Sequence, residues 1–398
     1  MEIYKLTPLT SLVWFQEGPG VRNTQYTNSG VKLLNVANLI DGHIDLSTSN
    51  RYIAEEEAYG RYRHFLCDKG DLVIASSGIK VDYFDKKMGF VRQEHLPLCM
   101  NTSTIRFKVL DKNILNIRYF MYFLKSNFFK SQLSKQITGS AQLNFGPSHL
   151  KRMIVPLINI DYQNHICGIL DKVYELEYKL QTELTLLNQL VKSRFLEMFG
   201  EPWVNDKEFP CYSVGQVAES VTYGTSAPAS DSGQYEYLRM NNLTDNGQLD
   251  LSDLKRIDMS DEQAEKYMVK KGDILFNRTN SIDLVGKTAL FNLNNPMIIA
   301  GYLIRIRLSD KVNPVYFVAY MNMPYMKEKL RNIAKGAVNQ ANINSKELKS
   351  IQILIPPLSL QNEYCNFVLS IDKSKLAVQK SLDELETLKK SLMQTYFG

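Results

Sequence analysis

The chain reads as an α+β protein with two similar globular domains in tandem, each followed by a long helix, the two helices pairing as an antiparallel coiled coil. Three observations lead there. The two halves follow one plan at a period of about 198 residues. Strand and helix patterns are mixed within each half, and each half closes on a heptad-patterned stretch ending Phe-Gly. The resulting boundaries are 1–160 and 201–360 for the globular domains, 161–200 and 361–398 for the helices.

Each half opens on a short apolar pattern, Tyr4-x-Leu6-x-x-Leu9 and Tyr212-x-Val214-x-x-Val217. A polar loop follows, EGPGVRNTQYTNSG in one half and TYGTSAPASDSG in the other, and these loops differ. A strand and turn then recur as LNVANLIDGHIDL from Leu34 and LRMNNLTDNGQLDL from Leu238, each with Asn-Leu-x-Asp and a Gly turn. Such a turn between alternating residues predicts a β-hairpin. Lys69-Gly70-Asp71 and Lys271-Gly272-Asp273 each feed an apolar strand, ending in Ser76-Ser77-Gly78 and in Asn277-Arg278-Thr279-Asn280.

An aromatic helix pattern follows, Tyr119 to Phe129 and Tyr316 to Tyr325, and then an amide-rich loop, GSAQLN from Gly139 and GAVNQAN from Gly336. Both halves continue through Leu-Lys and an apolar strand to a turn at Pro156 or Pro356-Pro357. Gln163-Asn164 and Gln361-Asn362 open the final helices. In the first, Val173, Leu180 and Leu187 repeat every seventh residue beside Leu176, Leu184 and Val191; in the second, Ile371, Val378, Leu385 and Leu392 do so beside Leu382. A seam of that period faces a partner helix, and each helix is the other's nearest match in length. A helix from Gln163 to Met198 spans about 54 Å at ~1.5 Å per residue, equivalent to about 16 base pairs of B-DNA at ~3.4 Å each.

Composition narrows the class. A chain of 398 residues exceeds what one core holds, and 44% hydrophobic with 22% charged residues is the balance of a folded protein. The net charge of +5 favours a polyanion only mildly. The start does not resemble a signal peptide and no stretch has the length of a membrane span, so a cytoplasmic location and no membrane partner are expected. Five spaced cysteines without a CxxC pair do not suggest a disulfide framework. His64, Cys67, His95 and Cys99 have a spacing that zinc accepts, but His64 falls opposite Lys266 and Cys67 opposite Val269 in the repeat. No metal is expected.

The ordered set of Lys-Gly-Asp-apolar, Gly-Ser-Ala-Gln, Leu-Lys-x-apolar-x-apolar-Pro and a heptad helix closing in Phe-Gly, whose plan recurs in the second half with GAVNQAN in place of the Gly-Ser-Ala-Gln loop, resembles the DNA specificity subunits of Type I restriction-modification systems. The resemblance implies two target-recognition domains, each reading one half of a split, asymmetric site on double-stranded DNA, with helices that act as a ruler. It implies two modification (methyltransferase) subunits and restriction (translocase/endonuclease) subunits as partners. S-adenosylmethionine, ATP and magnesium would belong to those partners, with no cofactor in this chain. The residues agree with a non-catalytic role: Asn295-Pro296-Met297 and Ile355-Pro356-Pro357-Leu358 do not form a methyltransferase loop, and Gly18-Pro19-Gly20 is no phosphate loop. Two other classes are a scaffold that organises partners through its coiled coil without binding DNA, whose binding would be insensitive to salt, and a nuclease active by itself with a metal.

Bases are read by Arg, Asn, Gln, Ser and Thr at groove edges, so the loops carry the candidates. In the first half these are Arg22, Asn23 and Gln25, then Ser76, Ser77 and Lys80, with Gln142 and Asn144. In the second they are Thr222, Tyr223 and Thr225, Arg239 and Asn241, Arg278, Thr279 and Asn280, with Asn339, Gln340 and Asn342. Residues shared between halves, Gln142 with Gln340 and Asn144 with Asn342, suit the DNA backbone or a cap on the following helix better than a choice of base. Residues that differ are the better candidates for specificity.

Overall fold

The computed structural model describes residues 4–79, 81–136, 143–337 and 340–398. It divides into two compact units: unit 1 is Met1–Lys179 with Ser381–Gly398, and unit 2 is Leu180–Lys380. Each long helix therefore gives one part to each unit.

In unit 1 a four-stranded antiparallel sheet is built from β1 (Val13–Glu17), β2 (Leu72–Ala75), β3 (Met88–Phe90) and β4 (Thr104–Val109), in the order β1-β4-β2-β3. One face packs on α1 (Ile117–Lys125) and α2 (Asn127–Ser134) through Leu72, Ile74, Ile105 and Phe107. The opposite face sends Val73 and Ala75 toward a smaller core under Leu34, Leu98 and Met100, whose strands pair in parallel. This alternation puts both faces of the sheet inside, as period-two side chains require. The short helix α3 (Pro147–Leu150) and the first part of α4 (Ile160–Phe199, 40 residues) complete the unit.

Unit 2 repeats the scheme with β5 (Ala218–Tyr223), β6 (Ile274–Asn277), β7 (Thr288–Leu290) and β8 (Leu303–Leu308), in the order β5-β8-β6-β7. Its helices include α5 (Pro314–Met321), α6 (Pro324–Ile333), α7 (Ser345–Ser350) and the first part of α8 (Leu358–Phe397, 40 residues). The expected single aromatic helix is two helices in each unit. The break falls at Ser126, whose side chain caps α2, and at Asn322-Met323 ahead of Pro324, where proline disfavours helical geometry in the residue before it. Pro156 is not in a turn. It lies in the strand Ile154–Leu157, paired with Lys5–Pro8 in a two-stranded sheet where a missing N–H is tolerated. The expected hairpin forms at Leu39–Ile40 and His43–Ile44 over Asp41-Gly42, both at positive φ, but the longer loop of unit 2 keeps only a Leu243–Leu249 bridge.

The repeated motifs mostly build the scaffold. In Lys-Gly-Asp the glycines Gly70 and Gly272 sit at φ +90° and +97°, where a β-carbon is disfavoured. The buried carboxylates accept from the backbone three residues back, Asp71 from Asp68 N and Asp273 from Lys270 N, both at 2.9 Å. Asp71 then pairs with Arg106 at 3.2 Å, and Asp273 with Arg307 at 2.9 Å. Gln163 and Gln361 are fully buried. Gln163 Nε2 donates to Ile114 O (2.9 Å) and Ile158 O (2.7 Å) while its Oε1 accepts from Asn116 N (2.9 Å). Gln361 does the same with Lys311 O, Pro356 O and Asn313 N.

The long helices run antiparallel within each unit. In unit 1, Glu177 of α4 meets Lys389 of α8 at 2.7 Å, and Tyr162 shares a core with Tyr396. In unit 2, Arg194 meets Glu363 at 2.9 Å, and Tyr364 Oη donates to Val191 O. Val173, Val378 and Leu385 are buried, and Leu180, Leu184, Leu187, Val191, Ile371, Leu382 and Leu392 are half-buried, all on one stripe. Leu176 lies outside it at 47% exposure, and Glu177 occupies the stripe instead. Among the described residues no helix is long and apolar enough to cross a membrane.

Candidate nucleic-acid interface

In unit 2 four segments come together at the end of the edge strand. Tyr223 ends β5, Arg278 follows β6, Asn342 ends the strand Gln340–Asn342, and Ser345 opens α7. The Arg278 guanidinium lies over the Tyr223 ring with its carbon 4.9 Å from the centroid. Its Nη2 donates to Asn342 Oδ1 at 3.1 Å and Nη1 to Gly301 O at 3.4 Å, while Ser345 N donates to Tyr223 Oη at 2.7 Å. Backbone pairing supports the cluster: Thr279 registers with Asn342, and Ile343 N donates to Arg278 O. A planar cation stacked on an aromatic face is held in one plane.

The first unit has the same construction with different side chains. Phe145 N donates to Ser76 O as Ile343 N does to Arg278 O, which sets Ser76 opposite Arg278. Glu17 registers with Ile105 as Tyr223 does with Ile304, which sets Glu17 opposite Tyr223. Both are followed by a glycine that the fold requires: a β-carbon on Gly18 would lie 2.0 Å from Asn101 O, and one on Gly224 2.2 Å from Ala300 O. Burial raises the Glu17 carboxyl above its ordinary range. Its carboxylate makes no hydrogen bond or ion pair among the described residues.

The remaining candidates divide by how they are held. Ser77 Oγ and Gly78 N both donate to Asn144 Oδ1, at 2.7 and 3.2 Å, so Asn144 stitches one strand to another as Asn342 holds Arg278. Neither caps a helix; in unit 2 that is done by Asn344, which accepts from Lys346 N and Glu347 N at 2.9 Å. Gln25 is engaged internally by Glu57 and Tyr62, both at 3.1 Å, whereas Arg22 and Asn23 are exposed. Thr222 Oγ1 accepts from Arg305, and Thr225 Oγ1 from Ala227 N at 3.2 Å. Arg239 pairs with Asp253 at 2.7 Å, beside an exposed Asn241. Asn280 Oδ1 accepts from Ser281 N at 2.8 Å, and Gln340 is exposed. Lys80, Gln142 and Asn339 lie outside the described residues.

Ser76 and Thr279 are buried with hydroxyls lacking a partner among the described residues, as are both amide atoms of Asn277 and Arg278 Nε. Three successive residues of unit 2 thus hold partnerless polar atoms at the exit of β6, where buried groups are ordinarily satisfied. Glu17 and Ser345 were not singled out from the sequence. Matching Gly18 with Gly224 would have placed Glu17 opposite Tyr223.

Of the cysteine and histidine set, Cys67 and Cys99 lie on paired segments, Cys67 N donating to Leu98 O at 2.8 Å and Leu66 bridging Cys99. His95 Nδ1 accepts from Arg92 N at 3.1 Å, and the His64 ring lies 4.0 Å from that of Phe65. Cys67 and Cys99 belong to different apolar cores, and burial pushes both thiols up, Cys99 to about 12.

A family model described as the Type I restriction modification DNA specificity domain matches residues 21–187 and again 207–387. The specificity subunit of the Type I restriction enzyme EcoKI from Escherichia coli K12 is 22% identical over 348 residues, 82% of this chain and 74% of that one. A putative MjaX specificity subunit from Methanocaldococcus jannaschii is 29% identical over 185 residues, 46% of this chain and 43% of that one. Among solved structures, the S subunit of a Type I restriction-modification system from M. genitalium superposes with a TM-score of 0.57 at 14% identity, covering 100% of this chain and 96% of that one. A chain from a Type I system studied for complex assembly and conformational transition gives 0.55 at 16% identity, covering 99% and 97%.

Proposed function

The chain belongs to the family of Type I restriction modification DNA specificity domains, and from that membership we infer that it directs a Type I complex to a two-part, asymmetric DNA target. Unit 1 reads one half-site and unit 2 the other. The observation that carries this reading is the contrast within the repeat. Buried motif residues such as Asp71 and Asp273 are kept, while the clustered positions at the strand ends change between units, Glu17 with Ser76 against Tyr223 with Arg278.

The 40-residue helices α4 and α8 set the gap between half-sites and dock two modification subunits, to which restriction subunits add. At ~1.5 Å per residue each helix is about 60 Å long. Methyl transfer with S-adenosylmethionine, and cleavage with ATP and magnesium, belong to those partners in the cytoplasm; this chain alone performs neither.

The test is methylation mapping in cells that lack and then regain the chain with its modification subunits. A two-part motif should appear with the chain, and its gap should change when one heptad is inserted into α4. Binding of the assembled complex should weaken steeply as salt rises, because neutralised phosphates release counterions. Salt-insensitive binding and no motif would favour the scaffold instead.

A further inference from the structure

At one place in the scaffold the two units offer opposite hydrogen-bonding character. Unit 2 presents a cation: Arg278, stacked on Tyr223 and anchored by Asn342 Oδ1 and Gly301 O. A guanidinium has five N–H donors. Because Nη1 and Nη2 each spend one bond on an anchor, each keeps one N–H. A guanidinium held in a fixed plane with a further N–H on each terminal nitrogen has the donors that the O6 and N7 acceptors of guanine require in the major groove. In unit 1 the matching cluster holds buried Ser76 in place of Arg278 and Glu17 in place of Tyr223, and the charged group it presents is a carboxylate. The Glu17 carboxylate is half-buried, has no donor among the described residues, and lies 3.4 Å from where a β-carbon on Gly146 would stand. An acceptor-only group favours a base edge that carries an exocyclic amino group, cytosine or adenine, and repels the acceptors of guanine and thymine.

We propose that Arg278 and Glu17 are base-reading residues of the corresponding clusters of the two units, Arg278 selecting a guanine in one half-site and Glu17 an amino-bearing base, cytosine or adenine, in the other. The inference rests on the DNA-specificity reading and deepens it. What surrounds the two positions is kept between units: Gly18 and Gly224, Asn144 and Asn342, Arg106 and Arg305. What changes is the group presented. The partnerless polar atoms of Asn277, Arg278 and Thr279 lie beside the same cluster, and a bound base pair with its water would give buried groups of this kind their partners.

The experiment uses the full chain assembled with its modification subunits and maps the methylated motif for wild type, Arg278→Ala, Arg278→Gln and Glu17→Ala. Exchanging residues 1–155 for those of a relative identifies which half-site belongs to unit 1. In the half read by unit 2, Arg278→Ala should relax one guanine about 10- to 100-fold, the discrimination of one bidentate contact, and leave the other half intact. Arg278→Gln should shift that position toward adenine, which glutamine reads through N6 and N7. Glu17→Ala should relax one cytosine or adenine in the half read by unit 1. A wild-type motif without guanine in the half read by unit 2, or an unchanged guanine requirement in both Arg278 variants, overturns the inference while the specificity reading stands. So does a Glu17→Ala motif identical to wild type. Absence of any two-part motif with the wild-type chain would instead remove the reading on which the inference rests.

Discussion

Arg106 and Asp71 form an ion pair of 3.2 Å with 6% and 3% of their side chains exposed, across the join between β4 and β2. Arg106 Nη2 also donates to His64 O at 2.7 Å and Gln16 Oε1 at 2.9 Å, so one guanidinium ties three segments of unit 1. Removing one partner of a buried pair strands the other charge. Asp71→Asn or Arg106→Met should destabilise unit 1 by about 3–5 kcal/mol. Asp273→Asn in unit 2 should cost less, because the Arg307 side chain is 36% exposed and stays solvated. Denaturant unfolding of the three variants checks the ranking; equal losses would contradict it.

Gln163 makes three hydrogen bonds from a fully buried position, at the point where α4 leaves the globular part of unit 1. Gln163→Leu fits the space but leaves Ile114 O, Ile158 O and Asn116 N without these partners. A loss of about 1–3 kcal/mol is expected, with a similar loss for Gln361→Leu in unit 2. Calorimetry of both single variants reads this directly. Losses under about 0.5 kcal/mol, the size of ordinary surface changes, would mean that water or rearranged side chains satisfy the backbone.

The parts of this fold that were legible in the sequence are those where one side chain answers to the backbone near it. Gly70 before Asp71, the Asp41-Gly42 turn and the heptads of α4 and α8 are local patterns, and the repeat doubles each signal. The break at Ser126 was hidden because Phe123 and Phe129 are both buried, so the apolar pattern runs on while the backbone turns. Leu176 and Glu177 were confused for a related reason: periodicity counts apolar residues, whereas the seam accepts a carboxylate whose partner, Lys389, is far away in sequence. At the candidate interface, loops could be named but not their company. Arg278 meets Tyr223 and Asn342 only through the pairing of strands far apart in the chain. Asn144 does not cap the following helix; its Oδ1 joins two strands through Ser77 and Gly78.

Burial pushes the Lys125 ammonium down to about 8, and the neighbouring ammonium of Lys389 adds to this against the pull of Asp85. In the unfolded chain a lysine titrates near 10.5. Between about 8 and 10.5 the unfolded state therefore holds a proton that the folded state lacks, so this group's contribution to stability rises with pH across that window. Below it, the folded state carries a half-buried charge stacked on Tyr174 at 4.3 Å. Lys125→Met should raise the Tm of unit 1 by about 2–4 °C at pH 7, with the gain vanishing toward pH 10.5. A gain independent of pH would assign the effect to packing alone.

Glu177 and Lys389 stand on the apolar stripe of the paired helices in unit 1, joined by bonds of 2.8 and 2.7 Å from Lys389 Nζ to the two carboxylate oxygens. The positions of the other repeat that match them are Lys375 and Val191, so the pair is not a requirement of the fold. Its side chains are 25% and 21% exposed, dry enough that either charge alone is costly. Glu177→Leu or Lys389→Leu should therefore lower the stability of unit 1. The double variant, which restores an apolar seam, should match or exceed wild type by up to about 4 kcal/mol. What the pair supplies in return is register. A polar partner at one seam position penalises every shifted alignment, in which the carboxylate would face leucine. The double variant should accordingly be more stable yet less exact, giving methylation at more than one gap length, where wild type is expected to give one. A double variant that is less stable than both single variants, or that keeps a single gap, would show that the helices are aligned by something other than this pair.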